Sequence, residues 1–316
     1  MSGPARPIKV GAFIPVVERQ MDGGMARWRD VLAMARAAED AGFDSVWLPD
    51  HLLFRFPNDD AQGVWEGTTL LAALAAATSR VEIGWLVAAT SFRNPALTAK
   101  IAATIDEISG GRLILGLGAG WHEPEYRAFG YPFDRRVSRF EEALAIILPL
   151  LRDGHVDFRG SFYEARDCEL RPRGPRPGGP PILIGALGTG PRMLRLAAQH
   201  ADLWNAWLTW GRSWPDAILP LREPVDAACR SVGRDPATLG RTVALLVQVP
   251  DRDARVTLTS PTGSGEPLSG SPAEIAAALR GFAREGIAHV QLIHAPNSAA
   301  GIAAMAPVLE ELDRVP

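Results

Sequence analysis

The dipeptide Asp50-His51 is the first place in the sequence where the residue types suit acid–base chemistry. It follows the short apolar segment Ser45 to Leu48, which has the composition of a buried β-strand. An imidazole titrates near neutral pH, so His51 is suited to donate or accept a proton. Position alone supports equally a histidine tied to a neighbouring backbone carbonyl, with Asp50 capping the next turn.

Two glycine-rich segments also follow apolar runs. In LGAGWHEPE (117–125), small residues would let a flat ligand approach the backbone. Trp121 adds a stacking surface there, and His122 and Glu125 add polar groups. In GALGTGP (185–191), free backbone N–H groups precede a predicted helix, which favours an anion such as a phosphate. Each segment is also explained as an ordinary turn, and for the second we favour the phosphate site.

Other chemically interesting groups are less specific. The tryptophans at 204–214 would either wall an apolar pocket or pack in the core, and the arginines at 166–176 are typical of a solvated loop. The six histidines are scattered without an HxH or HExxH motif, so no metal site is predicted. His51, His122 and His294 do, however, all fall at strand ends.

Short apolar strands alternating with longer helices would position these residues. Most strands are apolar throughout, as parallel strands buried on both faces are. The predicted strands are 8–15, 45–48, 81–87, 112–117, 182–186, 203–206, 243–249 and 289–294. The predicted helices are 26–41, 68–79, 95–109, 137–152, 192–200, 216–232, 273–285 (with Ser271 as its N-cap) and 299–312.

Eight strand–helix pairs indicate an α/β fold of the (β/α)8 TIM-barrel class, with an insertion around 153–181 and a polar loop around 252–270. An open doubly wound sheet is the alternative, but no GxGxxG follows the first strand. A barrel places its active site at the carboxyl ends of the strands, where all the candidates above fall.

Length and composition restrict the classes of function. A chain of 316 residues with 47% hydrophobic and 22% charged residues suits one barrel domain over 1–316. A formal charge of −3 argues against nucleic acid or an anionic membrane as partner. Neither a signal peptide nor a transmembrane segment is expected, and two distant cysteines, Cys168 and Cys229, suit a reducing cytoplasm.

Three stretches resemble the bacterial luciferase-like oxidoreductases. They are AEDAGFDSVWLPDHL (38–52), the stretch 78–133 around SFRNPALTAK and LGAGWHEPEYRAFGYPF, and GGPPILIGALGTGPRMLRLAAQHADLWNAW (178–207). The resemblance covers nearly the whole chain and no single motif carries it. The DHL and GAGWxExE patterns look more like the branch that uses the deazaflavin coenzyme F420 than the branch that uses FMN.

The resemblance implies catalytic positions. Asp50 and His51 match the family's Asp-His pair, in which the histidine lies near the reactive face of the cofactor ring. Trp121-His122 stands where some deazaflavin dehydrogenases have a glutamate that donates a proton, and Glu125 is the candidate to replace it.

The resemblance also implies cofactor contacts. Leu86-Val87 matches a position where the family often has a non-prolyl cis peptide that forms a bulge behind the ring. Leu187 interrupts what is often an all-small loop for the ribityl and phosphate groups. The full set of implied contacts is Leu86, Val87, Ala119, Gly120, Trp121, Gly185, Ala186, Leu187, Gly188 and Thr189.

The resulting hypothesis is hydride transfer between F420 and a small organic substrate, with His51 handling the balancing proton. Relatives of this kind imply a homodimer and a reductase that supplies reduced cofactor. Three alternatives remain: an FMN-dependent monooxygenase that uses O2 and a separate flavin reductase, a metal-dependent barrel hydrolase or isomerase, and a non-catalytic flavin-binding protein. No residue pair identifies the substrate.

Overall fold

A computed structural model describes residues 6–21, 23–186, 190–250 and 265–314. Its strands are β1 (Lys9–Phe13), β2 (Ser45–Leu48), β3 (Leu53–Phe54), β4 (Gln62–Gly63), β5 (Glu82–Trp85), β6 (Ala88–Ala89), β7 (Leu113–Gly118), β8 (His155–Arg159), β9 (Glu164–Glu169), β10 (Ile182–Gly185), β11 (Leu203–Trp207), β12 (Gly240–Gln248) and β13 (Ile287–Ala295). Its α-helices are α1 (Trp28–Ala41), α2 (Gly67–Ala77), α3 (Pro95–Ile108), α4 (Glu123–Phe129), α5 (Arg136–Arg152), α6 (Pro191–His200), α7 (Leu219–Ser231), α8 (Pro272–Arg284), α9 (Ala299–Ala303) and α10 (Ala306–Asp313). Short 3-10 helices cover Thr90–Phe92, Pro215–Ile218 and Pro236–Thr238.

The described strands confirm the predicted barrel. Eight of them follow one another in the order β1-β2-β5-β7-β10-β11-β12-β13, and β13 pairs in parallel with β1, so the series of pairings closes. Helices lie between the strands along the chain, which is the (β/α)8 arrangement. The short strand β6 continues the pairing along β7 beyond the end of β5.

The helix ends follow local sequence signals. Helix α1 stops at Gly42, which adopts φ 89°, a left-handed conformation that glycine reaches at little steric cost. Helix α8 begins at the predicted N-cap, Ser271, whose side chain and that of Glu274 cap each other's backbone. Pro272 occupies the first helical position, where its missing N–H costs nothing.

Contacts divide the chain into two compact units. One unit is residues 49–185, and the other combines residues 1–48 with 186–316. The first contains the antiparallel pair β8–β9, which fills the predicted insertion. That the whole chain is one domain stays a prediction.

The structure corrects several predicted boundaries. Helix α4 lies in a stretch predicted as loop, and the pair β3–β4 was not predicted. The third barrel strand ends at Trp85, two residues early, because the peptide bond that follows Leu86 is cis and interrupts the strand. The predicted C-terminal helix is divided into α9 and α10. Residues 251–264 of the predicted polar loop lie outside the described residues.

No helix within the described ranges has both the length and the apolar character needed to cross a membrane.

Candidate functional site

Five aromatic rings gather where the chain leaves β2 and β7. Their centroids form a network of contacts between 4.4 and 6.4 Å. The rings belong to His51, Phe54, Phe56, Trp121 and His122, all within the 49–185 unit. Because Trp121 and His122 immediately precede α4, the short helix fixes one side of this cluster, and the β3–β4 pair fixes the other.

The central interaction of the site is a histidine–carboxylate pair. Glu125 Oε1 lies 2.7 Å from His51 Nδ1, and Glu125 Oε2 accepts a hydrogen bond from the Leu52 N–H at 2.8 Å. The Glu125 side chain is 1% exposed and that of His51 is 17% exposed. A carboxylate accepts only, so we assign the proton at this contact to Nδ1. His51 Nε2 is therefore the nitrogen left to exchange a proton.

His122 has a different environment from His51. Its Nε2 accepts a hydrogen bond from the Arg55 backbone N–H at 3.0 Å, and its side chain is buried. Burial lowers the pKa of His122, Glu125 raises it by a smaller amount, and His51 lowers it further. A neutral imidazole that accepts at Nε2 anchors the chain that follows β3.

Asp50, the other half of the predicted pair, is buried and holds neighbouring chain segments. Its two oxygens each accept from the Arg93 guanidinium at 2.7 Å, and Oδ2 also accepts from the Ala89 N–H at 2.9 Å. Arg93 reaches Glu66 as well. The catalytic role of Asp50 stays a prediction. Glu66 and Arg93 were missed by sequence reasoning, although a glutamate directly before a predicted helix is a recognisable N-cap signal.

The Leu86–Val87 peptide bond is cis, as the resemblance implied. The Val87 side chain packs against glycines of the neighbouring strands: a Cβ added at Gly118 would lie 2.6 Å from Val87 Cγ2, and one added at Gly185 would lie 3.0 Å from both Val87 methyl carbons. These glycines therefore make room for Val87. The role of Leu86, Val87 and Gly185 in cofactor binding stays a prediction.

Gly118 and Gly120 do not provide the predicted space for a flat ligand. Val87 fills the place where a Gly118 side chain would lie, and a Cβ added at Gly120 would meet the Tyr126 hydroxyl. Gly120 also has φ 77°, which disfavours any other residue. The Tyr126 hydroxyl donates to the Ala119 carbonyl at 3.2 Å. Contacts from Ala119, Gly120 and Trp121 to a cofactor stay predictions.

The predicted phosphate loop is only partly described. The Ala186 N–H donates to the Asn205 carbonyl at 3.3 Å, so this backbone donor is already used. Leu187, Gly188 and Thr189 lie outside the described residues.

The other unit contains buried polar residues that the sequence did not single out. The Ser45 hydroxyl lies 2.7 Å from His289 Nε2 and accepts from Trp47 Nε1–H at 2.7 Å. The two-residue period of a strand places Ser45 and Trp47 on one face of β2, and this signal was available in the sequence. His294 is buried, and within the described part of the chain neither of its ring nitrogens has a hydrogen-bond partner.

The tryptophan cluster divides between core and half-buried positions. Trp204 is 1% exposed and belongs to the core, as predicted. Trp207 is half-buried, and its ring contacts those of Phe13 at 6.3 Å and Trp210 at 6.2 Å. Among the described residues, no group of three or more His, Cys, Asp or Glu side chains is arranged to hold a metal ion.

An acid–base pair among aromatic rings, at the strand ends of a (β/α)8 barrel, defines a barrel enzyme suited to proton transfer beside a planar ligand. The luciferase-like monooxygenase family matches residues 8–259, and the chain belongs to this family.

Individual relatives include both oxygenases and F420-dependent enzymes. Pyrimidine monooxygenase RutA of Cronobacter sakazakii is 38% identical over 175 residues, 54% of this chain and 50% of the relative. The Escherichia coli protein of that name is 39% identical over 175 residues, 54% of this chain and 51% of the relative. The chain spans about half the length of the curated relatives it matches.

Solved structures share the fold at lower sequence identity. An F420-dependent secondary alcohol dehydrogenase in complex with an F420-acetone adduct has a TM-score of 0.78 at 21% identity, covering 96% of this chain and 99% of that chain. The EDTA monooxygenase EmoA of Chelativorans sp. BNC1 has a TM-score of 0.76 at 15% identity, covering 97% of this chain and 94% of that chain.

Proposed function

We propose that this chain is an oxidoreductase that transfers a hydride between coenzyme F420 and a small organic substrate, with His51 Nε2 transferring the accompanying proton. The observation that carries the proposal is the 2.7 Å contact between Glu125 Oε1 and His51 Nδ1, because it leaves a partly exposed nitrogen free for acid–base work.

The residues present fit the ring portion of a deazaflavin or flavin. Trp121 and His51 offer aromatic surfaces, and the Leu86–Val87 segment, supported by the packing of Val87 on the adjacent glycines, offers a firm apolar surface for a planar ring. The residues that would hold the cofactor are Leu86, Val87, Ala119, Gly120, Trp121, Gly185 and Ala186, with residues 187–189 for its phosphate. When bound, the cofactor supplies the hydride chemistry.

The protein side of the mechanism follows from the His51–Glu125 pair. Glu125 holds the proton on Nδ1 and stabilises the imidazolium that forms when Nε2 accepts a second proton. His51 then takes a proton from an alcohol during oxidation or returns one to a carbonyl during reduction. Phe54, Phe56 and Trp121 surround the imidazole with apolar rings, which reduces access of water to it.

An FMN-dependent monooxygenase that uses O2 is the second candidate. It is favoured by the relatives of highest identity quoted above, which are pyrimidine monooxygenases at 38–39%, against 21% for the F420-dependent alcohol dehydrogenase. In this case a separate flavin reductase would be the partner. His51 would serve the same proton-transfer function in either chemistry.

Cofactor titration of the purified full chain tests the proposal. We expect F420 fluorescence to be quenched on binding, and we expect FMN to bind more weakly. Tight binding of reduced FMN without binding of F420 would replace the first candidate with the second. Binding of neither would contradict both.

Substitution of His51 tests the assigned proton transfer. His51→Ala should lower the single-turnover rate by about 10²–10⁴, while the Kd of the cofactor stays within about threefold. His155→Ala is the control, because His155 lies on the exposed β8–β9 pair. Equal losses of rate and affinity would assign His51 a binding role instead.

A further inference from the structure

The Asp50 carboxylate joins three pieces of chain next to His51. Oδ2 accepts from Arg93 Nη1 at 2.7 Å and from the Ala89 N–H at 2.9 Å, while Oδ1 accepts from Arg93 Nη2 at 2.7 Å. A guanidinium bound through two parallel contacts fixes both the position and the orientation of its carboxylate. Ala89 lies two residues beyond Val87, so the carboxylate ties the backbone at His51 to the segment that contains the cis peptide.

Arg93 also holds the beginning of α2. Its Nη2 lies 2.7 Å from Glu66 Oε1, and Glu66 caps the helix by accepting from the Thr68 and Thr69 N–H groups. Burial alone would raise the pKa of Glu66, but hydrogen bonds from Thr69, Arg93 and Thr68 lower it to about 2. The Glu66 carboxylate is therefore charged at neutral pH and remains an ion-pair partner of Arg93.

Gly67 shows how closely this helix end approaches the chain before His51. A Cβ added at Gly67 would lie 2.6 Å from the Pro49 carbonyl oxygen and 3.5 Å from Asp50 Cα. The Pro49-Asp50 backbone thus lies between the start of α2 and the Arg93 guanidinium, whose side chain is 14% exposed.

The imidazole of His51 depends on this backbone for its distance from Glu125. Glu125 contacts His51 through one oxygen and the next residue, Leu52, through the other. A movement of the chain at residue 50 would therefore change the Nδ1 contact. It would also change the distance between His51 and the Leu86–Val87 segment.

We propose that Arg93 is a positioning residue: by holding Asp50 against Ala89 and α2, it sets the position of the His51 imidazole relative to Glu125 and to the Leu86–Val87 segment. In this arrangement the Asp50 carboxylate exchanges no proton with substrate. The inference rests on the proposed function only in taking His51 as the proton-transferring group.

The experiment compares Arg93→Met and Arg93→Lys with a matched control, Arg176→Met, in the full-length chain. Arg176 forms the other buried arginine–aspartate pair of the 49–185 unit, with Asp106, which is fully buried. The primary measurement is ¹⁵N NMR of histidine-labelled protein without cofactor, in which the His51 signals are assigned by their loss in His51→Gln. The second measurement is the single-turnover rate alongside the Kd for F420 and for FMN.

We expect Arg93→Met to move the His51 Nδ1 and Nε2 signals and to lower the single-turnover rate about 10–100-fold, with each Kd within about threefold of the original. Arg93→Lys should give intermediate shifts, because an ammonium keeps the charge but not the two-contact geometry. Arg176→Met should lower the Tm and leave the His51 signals unchanged.

Unchanged His51 signals in Arg93→Met would overturn the inference, and so would equal shifts in Arg176→Met, since these would indicate general loosening. If Arg93→Met does not fold, Arg93→Lys decides alone, and unchanged His51 signals again overturn the inference. A normal rate in His51→Ala would contradict the proposed function, whereas the NMR comparison would still decide whether Arg93 positions His51.

Discussion

Residues 49–185 and the rest of the chain each enclose a pair of histidines, and the two pairs have different surroundings. His51 and His122 lie near the Glu125 carboxylate, and His51 keeps part of its ring exposed. His289 and His294 are almost completely buried, and burial lowers the pKa of each to about 3; Lys9 lowers that of His289 further. At neutral pH, burial of this kind keeps an imidazole uncharged and removes it from proton exchange. A carboxylate neighbour with partial exposure keeps an imidazole available.

The largest expected effect comes from removing the charge of Glu125. Glu125→Gln should lower the single-turnover rate by about 10²–10⁴, because a neutral amide stabilises the His51 imidazolium less well. Cofactor Kd should change little. Glu123→Gln is the matched control from the same turn of α4, where Glu123 pairs with Arg127 on the surface. Equal rates in the two variants would remove the distinction between the two histidine pairs.

The second effect concerns the stability of the buried Ser45–His289 contact. Ser45→Ala would leave His289 Nε2 and Trp47 Nε1 without the hydroxyl between them. Each buried group left unpaired costs about 1–3 kcal/mol, so we expect the free energy of unfolding to fall by about 2–4 kcal/mol. Urea denaturation measures this change. A loss that instead lowers the single-turnover rate of the folded protein would mean that this region also serves catalysis.

The third effect is sensitivity to acid. The folded-state pKa of His289 and of His294, about 3 each, lies below the unfolded value of about 6.5. The unfolded chain therefore takes up protons first. The stability from each neutral imidazole is complete above pH 6.5 and is lost as the pH falls toward 3, at up to about 1.4 kcal/mol per pH unit.

Replacing His294 should weaken this acid sensitivity. His294→Leu should reduce the pH slope between pH 6 and 4 by about half of the part that the two histidines contribute. It should also raise stability at pH 7 by about 1 kcal/mol, because neither ring nitrogen of His294 has a partner among the described residues. Denaturation at several pH values tests both. His155→Gln, at an exposed position, should leave the slope unchanged.

The smallest effect separates the two histidines of the site. His122→Phe keeps an aromatic ring in the cluster and removes the acceptor for the Arg55 N–H. Because Arg55 is exposed, water replaces this acceptor, and we expect a loss of about 0.5–1 kcal/mol in the free energy of unfolding. The single-turnover rate should stay within threefold. A loss as large as that of Glu125→Gln would show that both histidines transfer protons.

Much of the fold follows from local pattern. Uniformly apolar strands predicted the parallel barrel, and the cap residues Gly42 and Ser271 marked the helix ends closely. Helix α4 was missed because seven residues span about two turns, which is too short for a clear helical period. The glycines at 118 and 120 were taken for ligand space, because the sequence does not show that Val87 and Tyr126 fill it.

By itself, the sequence determined the eight strand–helix alternations, the position of Asp50-His51 at a strand end and, by resemblance, the place of the cis peptide. Only the tertiary structure paired His51 with Glu125, 74 positions later, and Asp50 with Arg93, 43 positions later. The physical reason is that strand and helix periods record interactions between near neighbours. The partner of a buried charge depends instead on which loops the sheet pairings bring together, and side-chain type alone does not specify that choice.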